Sequence, residues 1–408
     1  MPAGPRGGAS RRVYRARRLP TGVVVVLALV IAAGAGTLVA RELSSSKPSS
    51  QRAPTSSSSR PCSTLRVLGM WSLAALADET IAVPAEETDL VAIAPAARVG
   101  YGGVLLFGTA APLNLGQQLR QLRSDVPGRL GLLVMTDEEG GGIQRMANLV
   151  GSMPWPSQMG ATMTPAQIQS LARGVGSKMT RHGVNVDLAP VVDVDGRAVE
   201  PGAADPDGFR SFSGNVITVE ADGVAFLRGL MQAGVVPVVK HFPGLGGATG
   251  NTDDGPADTL PWSVLQSGAL PPFEAAIKSG VPAVMVSNAI VPGLSGRLPA
   301  SLSRAVTREL RERLGFTGLI ITDSLSALAI SDAPLSLGVP EASVRALEAG
   351  ADMVLFGLSA SASGDLALAA AIRRAILAAV AAGQLSRAQL TRAAAEVLAT
   401  KKVALCRT

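Results

Sequence analysis

The residues best suited to chemistry gather in Val235–Pro261, VVPVVKHFPGLGGATGNTDDGPADTLP. A β-branched run, Val235 to Val239, delivers Lys240 and His241 onto a Pro-Gly break. A glycine-rich loop holding Asp253, Asp254 and Asp258 follows. Runs of this type flanked by Gly and Pro read as a buried strand feeding a loop. Cations and carboxyls just past a strand end are where barrels and doubly wound sheets place their active groups. A capped strand followed by a solvated loop is the competing reading.

Four other strand ends carry similar groups. After one comes TDEEGGGIQR (Thr136–Arg145), and after the next come Asp187, Pro190 and Asp193, with Arg210-Ser211-Phe212 further on. Beyond the Lys-His strand lie Ser287 with Asn288, and then Asp323 with Ser324. Acids, two arginines, a lysine and a histidine thus converge on one rim, a donor set suited to a polyhydroxylated ligand held by charged hydrogen bonds. Metal ligation is a weak alternative, because His182 and His241 are the only histidines and neither has a ligand-like spacing. A phosphate-handling site is disfavoured for want of a phosphate-loop spacing.

These groups need a scaffold that brings many strand ends together. Strands are predicted at Leu65–Met70, Gly103–Phe107, Leu130–Thr136, Val184–Leu188, Val235–His241, Ala283–Ser287, Gly318–Thr322 and Met353–Phe356. Helical patterns alternate with them, at Pro165–His182, Val219–Ala233, Leu270–Ser279, Ser303–Leu314 and Pro340–Ala349. Ser363–Ala382 and Ser386–Lys401 follow the last strand. The class is α/β, and eight such alternations predict a (β/α)8 TIM barrel. A doubly wound sheet is the alternative.

The chain has 408 residues and a net charge of +6, yet six arginines fall within its first eighteen residues. No basic patch is interleaved with aromatics, which argues against nucleic acid. Residues 1–21 instead read as a cytoplasmic basic segment before Gly22–Ala40, an apolar stretch about long enough to cross a bilayer. That stretch is either an uncleaved membrane anchor or a signal peptide cut near Ala33-Gly34-Ala35. Both place the rest of the chain outside the cytoplasm, as a single-pass membrane protein or a secreted one. Residues 41–61, rich in Ser and Pro, read as a flexible tether. The folded part, residues 62–408, is bracketed by the only two cysteines, Cys62 and Cys406. In an exported protein these are expected to form one disulfide, two free buried thiols being the alternative.

Four segments, in order and on strand ends, resemble the N-terminal domain of glycoside hydrolase family 3, in particular its single-domain bacterial β-N-acetylglucosaminidases. They are DEEGGGIQR (Asp137–Arg145), NVDLAPVVDV (Asn185–Val194), KHFPGLG (Lys240–Gly246) and GFTGLIITDSL (Gly315–Leu325). The resemblance implies a retaining hydrolase with Asp323 as nucleophile. It implies that Asp137, Arg145, Arg210, Lys240 and His241 hold the sugar hydroxyls, and that no cofactor is needed. An Asp capping the next helix is the plain alternative for Asp323. The pattern also departs from the family. Its loop after KHFPG carries Asp-Ser-His with a catalytic His, and here Asn251-Thr252-Asp253 stands in that place. Gly142 replaces a usual Arg.

Asp253 or Asp254 is therefore the candidate acid/base, with Glu138 and Glu139 as lesser ones. Peptidoglycan-derived glycan or muropeptide fragments are the expected substrate, and a monomer is the expected state. A sugar-binding protein with little turnover and a β-glucosidase-like specificity are the alternatives.

Overall fold

The computed structural model describes residues 62–332 and 334–406. Eight parallel strands form its centre: β1 Ile81–Glu86, β2 Gly103–Phe107, β3 Leu133–Thr136, β4 Val186–Asp187, β5 Val236–Phe242, β6 Ala283–Val286, β7 Leu319–Thr322 and β8 Val354–Leu355. From β1 to β7 each pairs with the next in sequence, and β8 pairs with β1 through Ile81–Val354 and Ala82–Leu355. A single parallel bridge, Ile321–Met353, links β7 to the start of β8 and nearly closes the barrel. A doubly wound sheet would reverse its strand order partway. This order never reverses, so the barrel expectation holds.

The two-residue period of a strand sorts side chains into two layers. Leu105, Leu133, Met135, Val186, Val238, Met285, Leu319 and Ile321 fill the barrel interior. Their neighbours Val104, Leu106, Val134, Val239, Val284 and Ile320 face the surrounding helices. Those helices begin where short polar side chains cap them. Asn215 accepts the Ile217 N–H at 2.9 Å to start Val216–Gln232, and Ser361 and Ser386 open Ala362–Ala381 and Arg387–Thr400.

Two element assignments need correction. Leu65–Met70 is not the first strand, because Ser63 accepts the Arg66 N–H and starts a short helix, Thr64–Leu68. The first strand is Ile81–Glu86, whose Pro84 disguises it. Proline costs a ladder hydrogen bond, but Pro84 lies beyond the two-residue ladder to β8 and is tolerated. The Ser303–Leu314 pattern divides into an α-turn, Arg304–Arg308, and a π-turn, Glu309–Arg313.

The predicted basic segment, apolar stretch and tether, residues 1–61, lie outside the described residues. Among the described residues no helix is long and apolar enough to cross a membrane. Cys62 and Cys406 are bonded, with Cα atoms 5.8 Å apart across 344 residues of sequence. The C-terminal segment sits at the end of the barrel where the strands begin. Lys401 forms a buried ion pair with Glu79, just before β1. Lys401 and Val403 also lie beside Gly131, just before β3.

A crosslink over so long a loop stabilises mainly by restricting the unfolded chain. Replacing both cysteines by serine should cost about 2–5 kcal/mol. Denaturant unfolding checks this, with a lower midpoint and a steeper slope as the expected result, because the uncrosslinked denatured chain exposes more surface.

Candidate active site

Val236 and Val238 point into the barrel, so the alternation carries Lys240 inward at the end of β5. Its Nζ lies 2.8 Å from Asp137 Oδ1 and 2.7 Å from Glu139 Oε1. Arg210 grips Glu139 as a fork, Nε to Oε2 at 2.8 Å and Nη2 to Oε1 at 2.9 Å, and donates Nη1–H to Pro206 O at 2.8 Å. Burial alone would raise Glu139, but Arg210 and Lys240 outweigh it and hold the carboxyl far below the usual range.

The acidic turn is held from behind. Asp187 Oδ1 accepts the Glu138 N–H at 3.0 Å, while the Glu138 carboxylate accepts the Met146 N–H at 2.6 Å and Gln144 Nε2–H at 2.9 Å. Burial pushes Glu138 up to about 7 against those hydrogen bonds, and pushes Asp187 well up too. Glu138 thus braces the hairpin Glu138–Gly140/Ile143–Gln144. A Cβ on Gly142 would lie 2.9 Å from the Trp155 ring, so this indole occupies the space a larger residue would need.

His241 is fixed by Asp193. Its Nδ1 lies 2.7 Å from Asp193 Oδ2, and Asp193 also accepts the backbone N–H groups of His241 and Leu245. Its Nε2 faces Arg210 Nη2 at 3.4 Å. A guanidinium can only donate, which places the imidazole proton on Nδ1, toward Asp193. Asp207 lies alongside with no exposed surface and no hydrogen-bond partner among the described residues for either oxygen. Burial, reinforced by Asp193, raises it well above the usual range. Asp193, Asp207 and His241 offer atoms within 4.8 Å of one another and could share a cation. However, Asp193 already accepts from three N–H groups and Arg210 stands against the imidazole, so these donors fit a hydrogen-bonded dyad better than a metal centre.

Asp137, Glu139, Arg145, Arg210, Lys240, His241, Asp253 and Asp323 all line one cleft of about 260 Å³ at the C-terminal end of the strands. Arg145 is held loosely, its Nη2 3.8 Å from Asp137 Oδ2 and its guanidinium 5.9 Å from the centre of the Phe107 ring. Asp323 follows β7; its N–H donates to Val286 O at 2.9 Å and its Oδ1 accepts the Ser324 N–H at 2.7 Å. Asp253 lines the cleft but is exposed to solvent. Crowding by the surrounding protein, then the Asp323 charge, raise it to about 6 against the pull of Arg210 and His241. Asp254 is exposed and does not line the cleft.

From the sequence, Glu139, the hub of the charge network, stands only as a lesser acid/base candidate, and Asp193 only as one of the rim acids without its role in holding His241. Sequence reasoning also missed Pro201 and Pro206, which close one side of the cleft from the loop after β4. No periodic pattern marks that loop.

An eight-stranded parallel barrel with carboxyls and cations at its strand ends has the architecture of a glycoside hydrolase. The chain belongs to family 3 of these enzymes: residues 89–400 match the glycosyl hydrolase family 3 N-terminal domain. It is 40% identical over 236 residues to β-hexosaminidase LpqI of Mycobacterium tuberculosis, covering 56% of this chain and 59% of LpqI. The chain therefore spans less than two thirds of that relative's length. The solved structure of M. tuberculosis LpqI superposes with a TM-score of 0.73 at 31% identity, over 84% of this chain and 97% of that one. A β-N-acetylhexosaminidase from Beutenbergia cavernae superposes with a TM-score of 0.71 at 31% identity, over 82% and 99%.

Removing Arg210 leaves buried Glu139 with Lys240 alone against its charge and takes the Arg210 hydrogen bond from Oε2. Arg210→Met should cost about 3–5 kcal/mol, and adding Glu139→Met should restore most of it. Equal denaturation midpoints for the single and double variants would refute this account of the network.

Proposed function

We propose that the protein is a retaining glycosidase that removes terminal β-linked N-acetylglucosamine from cell-wall-derived glycans. The observation that carries this reading is the pairing of Asp323 and Asp253 across one cleft, each in a different electrostatic setting. The names of the β-hexosaminidase relatives support the choice of sugar.

Asp323, as carboxylate, attacks the anomeric carbon while Asp253 gives its proton to the leaving oxygen. The glycosidic bond breaks and a glycosyl ester forms on Asp323. The ester removes the negative charge that helped raise Asp253. The now ionised Asp253 is therefore stabilised as a base, and it takes a proton from the water that cleaves the ester. Asp137, Arg145 and His241 are positioned to meet sugar hydroxyls. Lys240 and Arg210, spent on Glu139, act chiefly by holding that surface in place.

The activity belongs to an exported protein, held at the membrane by Gly22–Ala40 or released by cleavage there, with fragments of peptidoglycan as substrate. The Cys62–Cys406 bond supports an oxidising compartment.

A proton donor works only while it holds its proton. Turnover of an unactivated N-acetylglucosamine disaccharide by the full-length protein should therefore fall as pH rises through about 6. Asp323→Asn should abolish hydrolysis of both this disaccharide and a nitrophenyl N-acetyl-β-glucosaminide. Asp253→Asn should lower disaccharide turnover ~10²–10⁴-fold, with a much smaller loss on the activated substrate. A fluorosugar that labels a carboxyl other than Asp323 would sink the nucleophile assignment. Sugar binding with no turnover of either substrate would leave a binding protein, and preference for nitrophenyl glucoside would move the specificity to glucosides.

A further inference from the structure

The turn that carries Asp253 is clamped between the two loops that flank it in the cleft. On one side the Asn251 N–H donates to Ala203 O, in the loop after β4, at 2.8 Å. On the other side the Ala329 N–H donates to Thr252 O at 3.0 Å and the Leu328 N–H to Asp253 O at 3.4 Å. Those two donors open the short helix Leu328–Ser331, which shares its loop with Asp323. Between the clamps, Asn251 Oδ1 accepts the Asp253 N–H at 3.0 Å, and Asn251 O accepts the Asp254 N–H at 3.1 Å. Thr252 is buried, so the turn has one inward anchor and cannot rotate freely.

Every link of this clamp is made by backbone atoms except one, the Asn251 side chain. We infer that Asn251 is a positioning residue for the proton donor: it sets the direction in which Asp253 leaves the backbone, and so where its carboxyl stands relative to Asp323. The inference rests on the reading of Asp253 as acid/base given above. An Asn side chain bonded to the N–H two residues on is a local turn that fixes the following residue's backbone. The consequence is large because a displacement of about 1 Å in a catalytic group can cost about 10²-fold in rate. Asn251 also lines the cleft, so its substitution could alter sugar binding instead. Leaving-group dependence separates the two effects.

The test compares Asn251→Ala, Asn251→Ser and Asn251→Gln in the full-length protein. kcat and KM are measured across pH on the nitrophenyl substrate and on the unactivated disaccharide, with thermal melts as the check on folding. Asn251→Ala should lose disaccharide kcat at least about tenfold more than nitrophenyl kcat, with the alkaline limb displaced. Serine, whose hydroxyl can accept the same N–H, should restore most of the loss. Should the alanine variant not fold, Asn251→Gln serves in its place, because the longer amide overreaches the Asp253 N–H and should show the same selectivity. Equal loss on both substrates, a pure change in KM, or no change would overturn the inference. Asp253→Asn separates the two levels. If it spares the disaccharide, the acid/base reading itself fails. If it is selective and the Asn251 variants are not, only the positioning role fails.

Discussion

A carboxylate with almost no exposed surface is what the site is built on. Taking Glu139 out of water costs several kcal/mol unless opposite charges meet it in good geometry. Two unlike cations do so. Arg210 supplies a flat fork that fixes the plane of the carboxylate, and Lys240 supplies a point charge that can be shared. Because Lys240 also reaches Asp137, the Glu139 network orders the floor of the cleft. Because Arg210 stands against His241, which is bonded to Asp193, the same network reaches the end of β5 and the loop after β4. Three strand ends are thereby locked in one arrangement before any ligand arrives.

Three consecutive acids, Asp137-Glu138-Glu139, show how far environment decides a side chain's chemistry. Asp137 keeps some exposure and shares Lys240. Glu138 turns away from the cleft, takes hydrogen bonds from Met146 and Gln144, and is pushed toward neutrality by burial. Glu139 is almost wholly buried yet ionised, because its partners are full charges rather than dipoles. Asp253 and Asp323 repeat the theme across the mouth. Desolvation by the surrounding protein, and then the Asp323 charge, raise Asp253 there.

The strand-end groups were legible because β-branched runs set the alternation that points Lys240 inward, and because each motif sits directly after such a run. The helices were legible from their longer apolar patterns between the strands. β1 was hidden by Pro84, which is harmful in most central strands and harmless where one ladder has ended. The choice between Asp253 and Asp254 could not be read from a glycine-rich loop without periodicity. It depends on long-range hydrogen bonds, to the Ala203 carbonyl and from the Leu328 and Ala329 N–H groups, that no local pattern records. Glu139 was likewise indistinguishable from Glu138 until the fold placed Arg210, seventy-one residues on, beside one and not the other.

The Cys62–Cys406 bond and the Lys401–Glu79 pair hold both edges of the domain at the end where the strands begin, whereas the cleft opens at the end where they finish. The chain therefore enters the domain on the face opposite its mouth. A ligand approaching the cleft does not have to pass Cys62. A domain fastened at Cys62 or Cys406 would present its opening outward, like a cup fixed by its base.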